Sequence, residues 1–108
     1  MQWTVTVIPE AEAELLAMPA DIQARFLHIG ELLAAFGPQK VGMPHVRPLE
    51  GKLWEMRMTG RDGIARAVYV ARSGQRLTVL HVFAKKTQKT PRPAIETALA
   101  RMRKLTDD

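Results

Sequence analysis

The chain of 108 residues contains no cysteine. Disulfides, thiolate zinc sites and a cysteine nucleophile are thereby excluded, and a reducing compartment, the cytoplasm, is expected. Aromatic residues make up only 6% of the chain, with a single tyrosine, which disfavours a surface of aromatic platforms for stacked bases. No apolar run is long enough to cross a bilayer. The opening "MQWTVTVIPE" has neither a basic start nor a long apolar stretch, so it does not read as a signal peptide. A glycine-rich nucleotide loop is missing. His28, His45 and His81 are scattered without metal-ligand spacing, and no carboxylate pair suggests two-metal hydrolysis. Neither a metal nor a cofactor is implied. An active site in this chain has to run on arginine and lysine.

What is present is an ordinary globular composition, 46% hydrophobic and 25% charged, at a length that suits one domain over residues 1–108. The charge is unevenly spread. Residues 1–50 hold three Lys/Arg against six Asp/Glu, whereas residues 51–108 hold thirteen against five. Such asymmetry points to a polyanionic partner on one side of the molecule.

Residues 3–8 ("WTVTVI") alternate as a half-buried strand does. Pro9 then opens a short acidic helix that ends before Pro19. Asp21 is the expected cap of a second helix, whose apolar stripe is Ile22, Phe26, Ile29, Leu33 and Phe36, stopped by Gly37-Pro38. Residues 39–51 read as loop. Three strands follow, "KLWEMRM", "IARAVYVA" and "RLTVLHVFA", joined by glycine-containing turns that suit an antiparallel meander. Thr90 is the expected cap of a last helix bearing Ile95, Leu99, Met102 and Leu105, with Arg101 outside. The expected fold class is α+β, with the helices on one side of an antiparallel sheet and the other side open to water.

Two features stand against that plain scheme. Alternation puts Glu55, Arg57 and Arg66 on one sheet face, with Arg57 and Arg66 as cross-strand neighbours in simple register and Tyr69 pointing the other way. Like charges placed side by side lose stability unless solvent or a ligand screens them. The seam "HVFAKKTQKTPR" (81–92) then adds Lys85, Lys86, Lys89 and Arg92 with no acid among them. Rigid guanidinium forks beside flexible ammonium groups make a phosphate cleft. If both strand arginines lie on an open face, replacing either leaves the domain folded. RNA carries its own nucleophile, so such a cleft needs only to orient the 2′-hydroxyl, take its proton and stabilise charge on the phosphate. A lysine crowded by cations has a lowered pKa and is the available base. His81 reads as a structural residue, and His45 as a loop residue within reach of a substrate.

The segments "LEGKLWEMRM", "IARAVYVA" and above all "VLHVFAKKTQKTPRPAIETALARM" resemble the phage-derived branch of the RelE/HigB-type toxins of bacterial toxin–antitoxin systems. The resemblance spans essentially the whole chain. It implies a RelE-like fold, with an N-terminal strand and helical hairpin packed on a curved antiparallel sheet and a C-terminal helix. It also implies a metal-independent mRNA endoribonuclease acting in the ribosome, leaving a 2′,3′-cyclic phosphate and a 5′-hydroxyl. Arg57, Arg66, Lys85 and Lys86 are then the catalytic cations. Lys52, Phe83, Thr87, Lys89 and Arg92 become RNA contacts, with Phe83 packing beneath the basic edge or stacking on a base. The tyrosine or histidine that several relatives carry near the C-terminus has no counterpart in "RKLTDD". The implied partners are mRNA, the ribosome and an antitoxin with a helix-turn-helix DNA-binding domain. The competing readings are a non-catalytic nucleic-acid-binding module using the same basic face and a protein-interaction domain for an acidic partner.

Overall fold

The alternating N-terminal threonines and Pro9 set the first corner of the chain, and the rest follows from where each apolar stripe finds cover. The computed structural model describes residues 2–85 and 89–105. Its elements are β1 (Thr4–Val7), α1 (Pro9–Leu16), α2 (Ala20–Phe36), α3 (Pro38–Val41), β2 (Val46–Glu50), β3 (Leu53–Gly60), β4 (Gly63–Arg72), β5 (Arg76–Lys85) and α4 (Arg92–Arg103). Among the described residues the strands form one sheet in the order β1-β5-β4-β3-β2. The α+β class, the helical hairpin and the β3-β4-β5 meander are as expected from the sequence.

Four details differ. First, β1 runs parallel to β5, with Val5 beside Leu77 and Val7 beside Val79, so the sheet is mixed. Second, residues 39–51 are not all loop, because α3 and the edge strand β2 lie there. Pro48 masks that strand from an alternation search, yet an edge position tolerates a residue that cannot donate to a ladder. Third, the sheet is covered on both faces. The helices α1 and α2 bury Ala11, Ile22, Phe26, Ile29 and Leu33 against Met56, Met58, Tyr69 and Val79. On the other face α4 lays Ile95 and Ala98 over Leu53, Val68, Val70 and Leu80. The apolar strand residues of that second face leave it no option of lying open to water. Fourth, Phe36, expected in the α2 stripe, is 57% exposed at the end of the helix.

Asp21 has a different task from the one its position suggested. The helix α2 starts two residues earlier than a cap at Asp21 implies, at Ala20 after Pro19, with no side-chain cap. The Asp21 carboxylate accepts the Arg61 N–H at 2.6 Å and so pins the β3–β4 turn to α2. That bond holds the Asp21 carboxyl below its usual range. At the same turn Gly60 is required for space, since a Cβ there would lie 2.7 Å from Ile22 Cδ1.

A bulge at the middle of β5 orders the polar edge of the sheet. Between the pairs Val68/His81 and Tyr69/Val79, β5 carries one residue more than β4. There Glu14 Oε1 accepts the Val82 N–H at 3.0 Å and Arg101 Nη1 at 2.9 Å, and it shares a 3.0 Å hydrogen bond with His81 Nδ1. Arg101, expected outside, thus turns inward, and it also donates to the Leu80 carbonyl at 3.0 Å. His81 is structural, as expected. Burial alone would raise the Glu14 carboxyl, but the bonds from Arg101, Val82 and His81 outweigh it and hold the group below the ordinary carboxylate range. The stability this clamp adds is present above that range and lost as pH falls through it.

Tyr69 carries a testable consequence of burial. Its ring is fully buried and stacks on Trp54 with centroids 6.4 Å apart, while its hydroxyl has no hydrogen-bond partner among the described residues. Burial pushes the phenol pKa well above its ordinary value. The unfolded phenol ionises above about pH 10 while the buried one stays neutral, so stability should fall as pH rises past that point. Tyr69→Phe is expected to leave neutral-pH stability unchanged or raise it by up to about 1 kcal/mol, and to remove the alkaline loss. Urea titrations of both proteins across the alkaline range measure this. Parallel alkaline curves would contradict it.

Candidate active site

Arg57 and Arg66 lie directly across from each other on β3 and β4, the register expected from the hairpin. Their surroundings are nevertheless opposite in kind. Arg66 is 4% exposed, and Glu55, on the same face of β3, is 2% exposed. Arg66 Nη1 donates to Glu55 Oε1, and Arg47 Nε on β2 donates to the same oxygen at 3.0 Å. Thr90 Oγ1 donates to Glu55 Oε2. One buried carboxylate therefore ties together β2, β4 and the segment ahead of α4. Arg66 is not on an open face.

This arrangement corrects the role of Thr90. The α4 helix begins at Arg92 after Pro91 and has no side-chain cap. A charged acceptor in a poorly solvated site draws the hydroxyl more strongly than the amides of a helix end that water can reach.

Around this floor sit the cations that Glu55 does not bind. Arg57 is exposed and makes no side-chain hydrogen bond or ion pair among the described residues. Lys85, the last residue of β5, lines the same cleft, together with His45 and Arg47. Partial desolvation, and then the charges of Arg66 and Arg57, hold the Lys85 ammonium below the ordinary lysine range. Arg66 Nε is buried without an acceptor among the described residues, which leaves one donor of the fork unused.

Residues 13–103 match the family model described as Phage derived protein Gp49-like (DUF891). The chain belongs to the Gp49-like family. No curated protein matches this Gp49-like chain in sequence. Among solved structures it is similar to a double arginine-to-alanine mutant of the E. coli toxin RelE in the free state, with a TM-score of 0.63 at 14% identity. That likeness covers 94% of this chain and 99% of the other. It is also similar to the archaeal RelE-RelB complex from Pyrococcus horikoshii OT3, with a TM-score of 0.60 at 23% identity, covering 78% of this chain and 96% of that one. The fold of the Gp49-like protein is that of RelE.

The structure brings Arg57, Arg66 and Lys85 together, and it separates other expected site residues from them. Lys52 is exposed in the turn before β3, five residues and roughly 16 Å of strand from Arg57. Phe83 pairs with Arg66 across the ladder, stacks on His81 with centroids 5.1 Å apart and packs into the α4 side of the core. Its ring is thus engaged by the core and by His81. Arg92 is matched by Glu50 at 2.8 Å and Glu96 at 3.5 Å and does not line the cleft. Lys89 is exposed and likewise does not line it. Lys86 and Thr87 lie outside the described residues. Sequence reasoning missed the contribution of Arg47. The signal was available, because β2 sets Arg47 directly opposite Glu55, but it required seeing a strand through Pro48.

Proposed function

We propose that this Gp49-like protein is the toxin of a type II toxin–antitoxin system, a metal-independent endoribonuclease that cuts messenger RNA in the ribosome and so halts translation. The observation that carries the reading is a cleft in which Arg57 and Lys85, both without an acidic partner among the described residues, stand over the buried Arg66. The RelE fold supports it. In this reading Lys85 Nζ takes the proton from the 2′-hydroxyl, whose oxygen attacks the adjacent phosphorus. Arg57 and Arg66 stabilise the charge that gathers on the non-bridging oxygens. The bond from phosphorus to the 5′ oxygen breaks, and His45 is the acid available to protonate that oxygen. The products are a 2′,3′-cyclic phosphate and a 5′-hydroxyl. Glu55 holds Arg66 and Arg47 in place and touches no reacting atom.

The solved RelE-RelB complex supports an antitoxin as partner here, and a helix-turn-helix gene beside this one is the expected source. Action on ribosomes places the protein in the cytoplasm. Induced expression in bacteria should stop growth and truncate ribosome-bound messages, neither of which a non-catalytic nucleic-acid-binding module would do. In a purified translation complex, a message carrying one deoxynucleotide at the cut position should stay intact. Cleavage of that message, or ends bearing a 5′-phosphate, would rule out attack by the 2′-hydroxyl.

A further inference from the structure

Beyond the catalytic cleft, the groove continues around the edge of the sheet into a second pocket. Its lining includes Arg25 of α2, Arg57 and Thr59 of β3, and His45. It is adjacent to the first pocket and shares with it Arg57, His45 and Pro44. The two differ in charge balance. The first contains Glu55, whereas none of the residues lining the second is acidic. Arg25 is exposed and, like Arg57, has no hydrogen-bond or ion-pair partner among the described residues. Two guanidinium groups facing one acid-free pocket gain nothing for the fold, since like charges repel.

The backbone adds a donor. The strand β2 begins at Val46, opposite Met56, and the Arg57 N–H donates to the His45 carbonyl at 2.8 Å. Alternation along an antiparallel strand turns the Thr59 N–H toward the same edge, beyond the point where β2 covers it. Arg57 and Thr59 share a strand face roughly 7 Å apart, a spacing comparable to that of successive phosphates along an extended nucleic acid strand.

We propose that Arg25, Thr59 and His45, together with Arg57, form a second phosphate subsite, which holds the backbone phosphate of single-stranded RNA next to the one in the catalytic cleft. The assignment rests on the endoribonuclease reading above and extends it to a residue of the helical hairpin. RNA fits better than an acidic peptide, because its charges recur once per nucleotide and the two pockets share Arg57 between them. The scissile phosphate lies among Arg57, Arg66 and Lys85. Its neighbour lies between Arg57 and Arg25, so the strand leaves the cleft over the β3 edge toward α2.

Binding of a short 2′-O-methyl RNA, which cannot be cleaved, tests this by fluorescence anisotropy over a range of salt. Arg25→Gln should weaken binding about three- to tenfold at low salt and reduce the slope of log affinity against log salt by about 0.7, one single-strand phosphate contact. A 2′-O-methyl dinucleoside monophosphate, with its one phosphate, should bind Arg25→Gln and the parent equally. Arg103→Gln, the same charge change at an exposed position on α4, should leave the slope of the longer RNA unchanged. If Arg25→Gln leaves that slope unchanged, or if Arg103→Gln lowers it as much, there is no second subsite, while the catalytic reading stands provided Arg57→Gln still weakens both ligands. A parent protein that binds the RNA no better than Arg57→Gln would overturn both.

Discussion

Arg66→Ala should lose about 3–5 kcal/mol of folding stability, the range for removing one partner of a buried ion pair. Domains of this size are typically stable by about 5–15 kcal/mol, so the variant should be barely folded or unfolded at growth temperature. The cause lies in what stays behind. Glu55 is 2% exposed, and without Arg66 its charge keeps only Arg47, whose side chain is 42% exposed, and the Thr90 hydroxyl. A carboxylate so placed is poorly compensated. The open-face reading of the sequence leads to the reverse expectation, an Arg66→Ala variant that is folded and inert. Arg66→Lys should fall between, since it keeps the charge and loses the planar fork. Replacing both partners by apolar residues, Arg66→Met with Glu55→Leu, should restore most of the stability without restoring cleavage. Urea titrations give the comparison, and an Arg66→Ala midpoint equal to that of the parent would show that the pair adds nothing to the fold.

The largest loss of activity without loss of fold is expected at Arg57 and Lys85. Arg57→Ala should stay within about 0.5 kcal/mol of the parent in stability, because the side chain is exposed and has no partner among the described residues. Its cleavage rate should fall about 10²–10³-fold, the scale for losing one preorganised donor to a developing oxyanion. Lys85→Arg keeps the positive charge but cannot deprotonate, so ribosome binding should persist while cleavage falls about 10²–10⁴-fold. The pH dependence separates these roles. A lysine base acts in its neutral form, so the rate should rise with pH up to the Lys85 pKa. Desolvation, then Arg66 and Arg57, depress that pKa. In Arg57→Gln one depressing charge is gone, and what remains of the rising limb should move to higher pH. Single-turnover cleavage and ribosome binding, measured separately across pH, decide the matter. A Lys85→Arg protein that cuts at the parental rate removes Lys85 from the role of base.

Much of the site was legible because strand alternation is a local property. Once β3 and β4 are recognised as a hairpin, the opposition of Arg57 and Arg66 follows from counting, and so does the placement of Tyr69 on the far face. The close of the last strand beside the lysines, one residue past "RLTVLHVFA", followed from the change from apolar to basic residues. Alternation says which side a residue points to, but nothing about what covers that side. The setting of Arg66 on Glu55 also involves Arg47 of β2 and Thr90, both remote from it in sequence. For the same reason Thr90 and Asp21 both looked like caps. Each is the right residue type one or two positions from a helix start, and each is drawn instead to a partner that only the assembled fold supplies, Glu55 in one case and the Arg61 N–H in the other.

By itself, then, the amino-acid order determined the kinds of element, the central hairpin register and the concentration of cations where β5 meets the last helix, because these depend on local alternation and on the short turn that joins β3 to β4. Only the tertiary structure decided which cations are matched by an acid and which line a cleft. It buried Arg66 on Glu55, matched Arg92 with Glu50 and Glu96, left Arg57 and Lys85 without acidic partners among the described residues, and brought Arg25 from the acidic half of the chain to the rim of the groove. Ion pairing depends on distance and dielectric in the folded molecule, and neither is set by position along the chain.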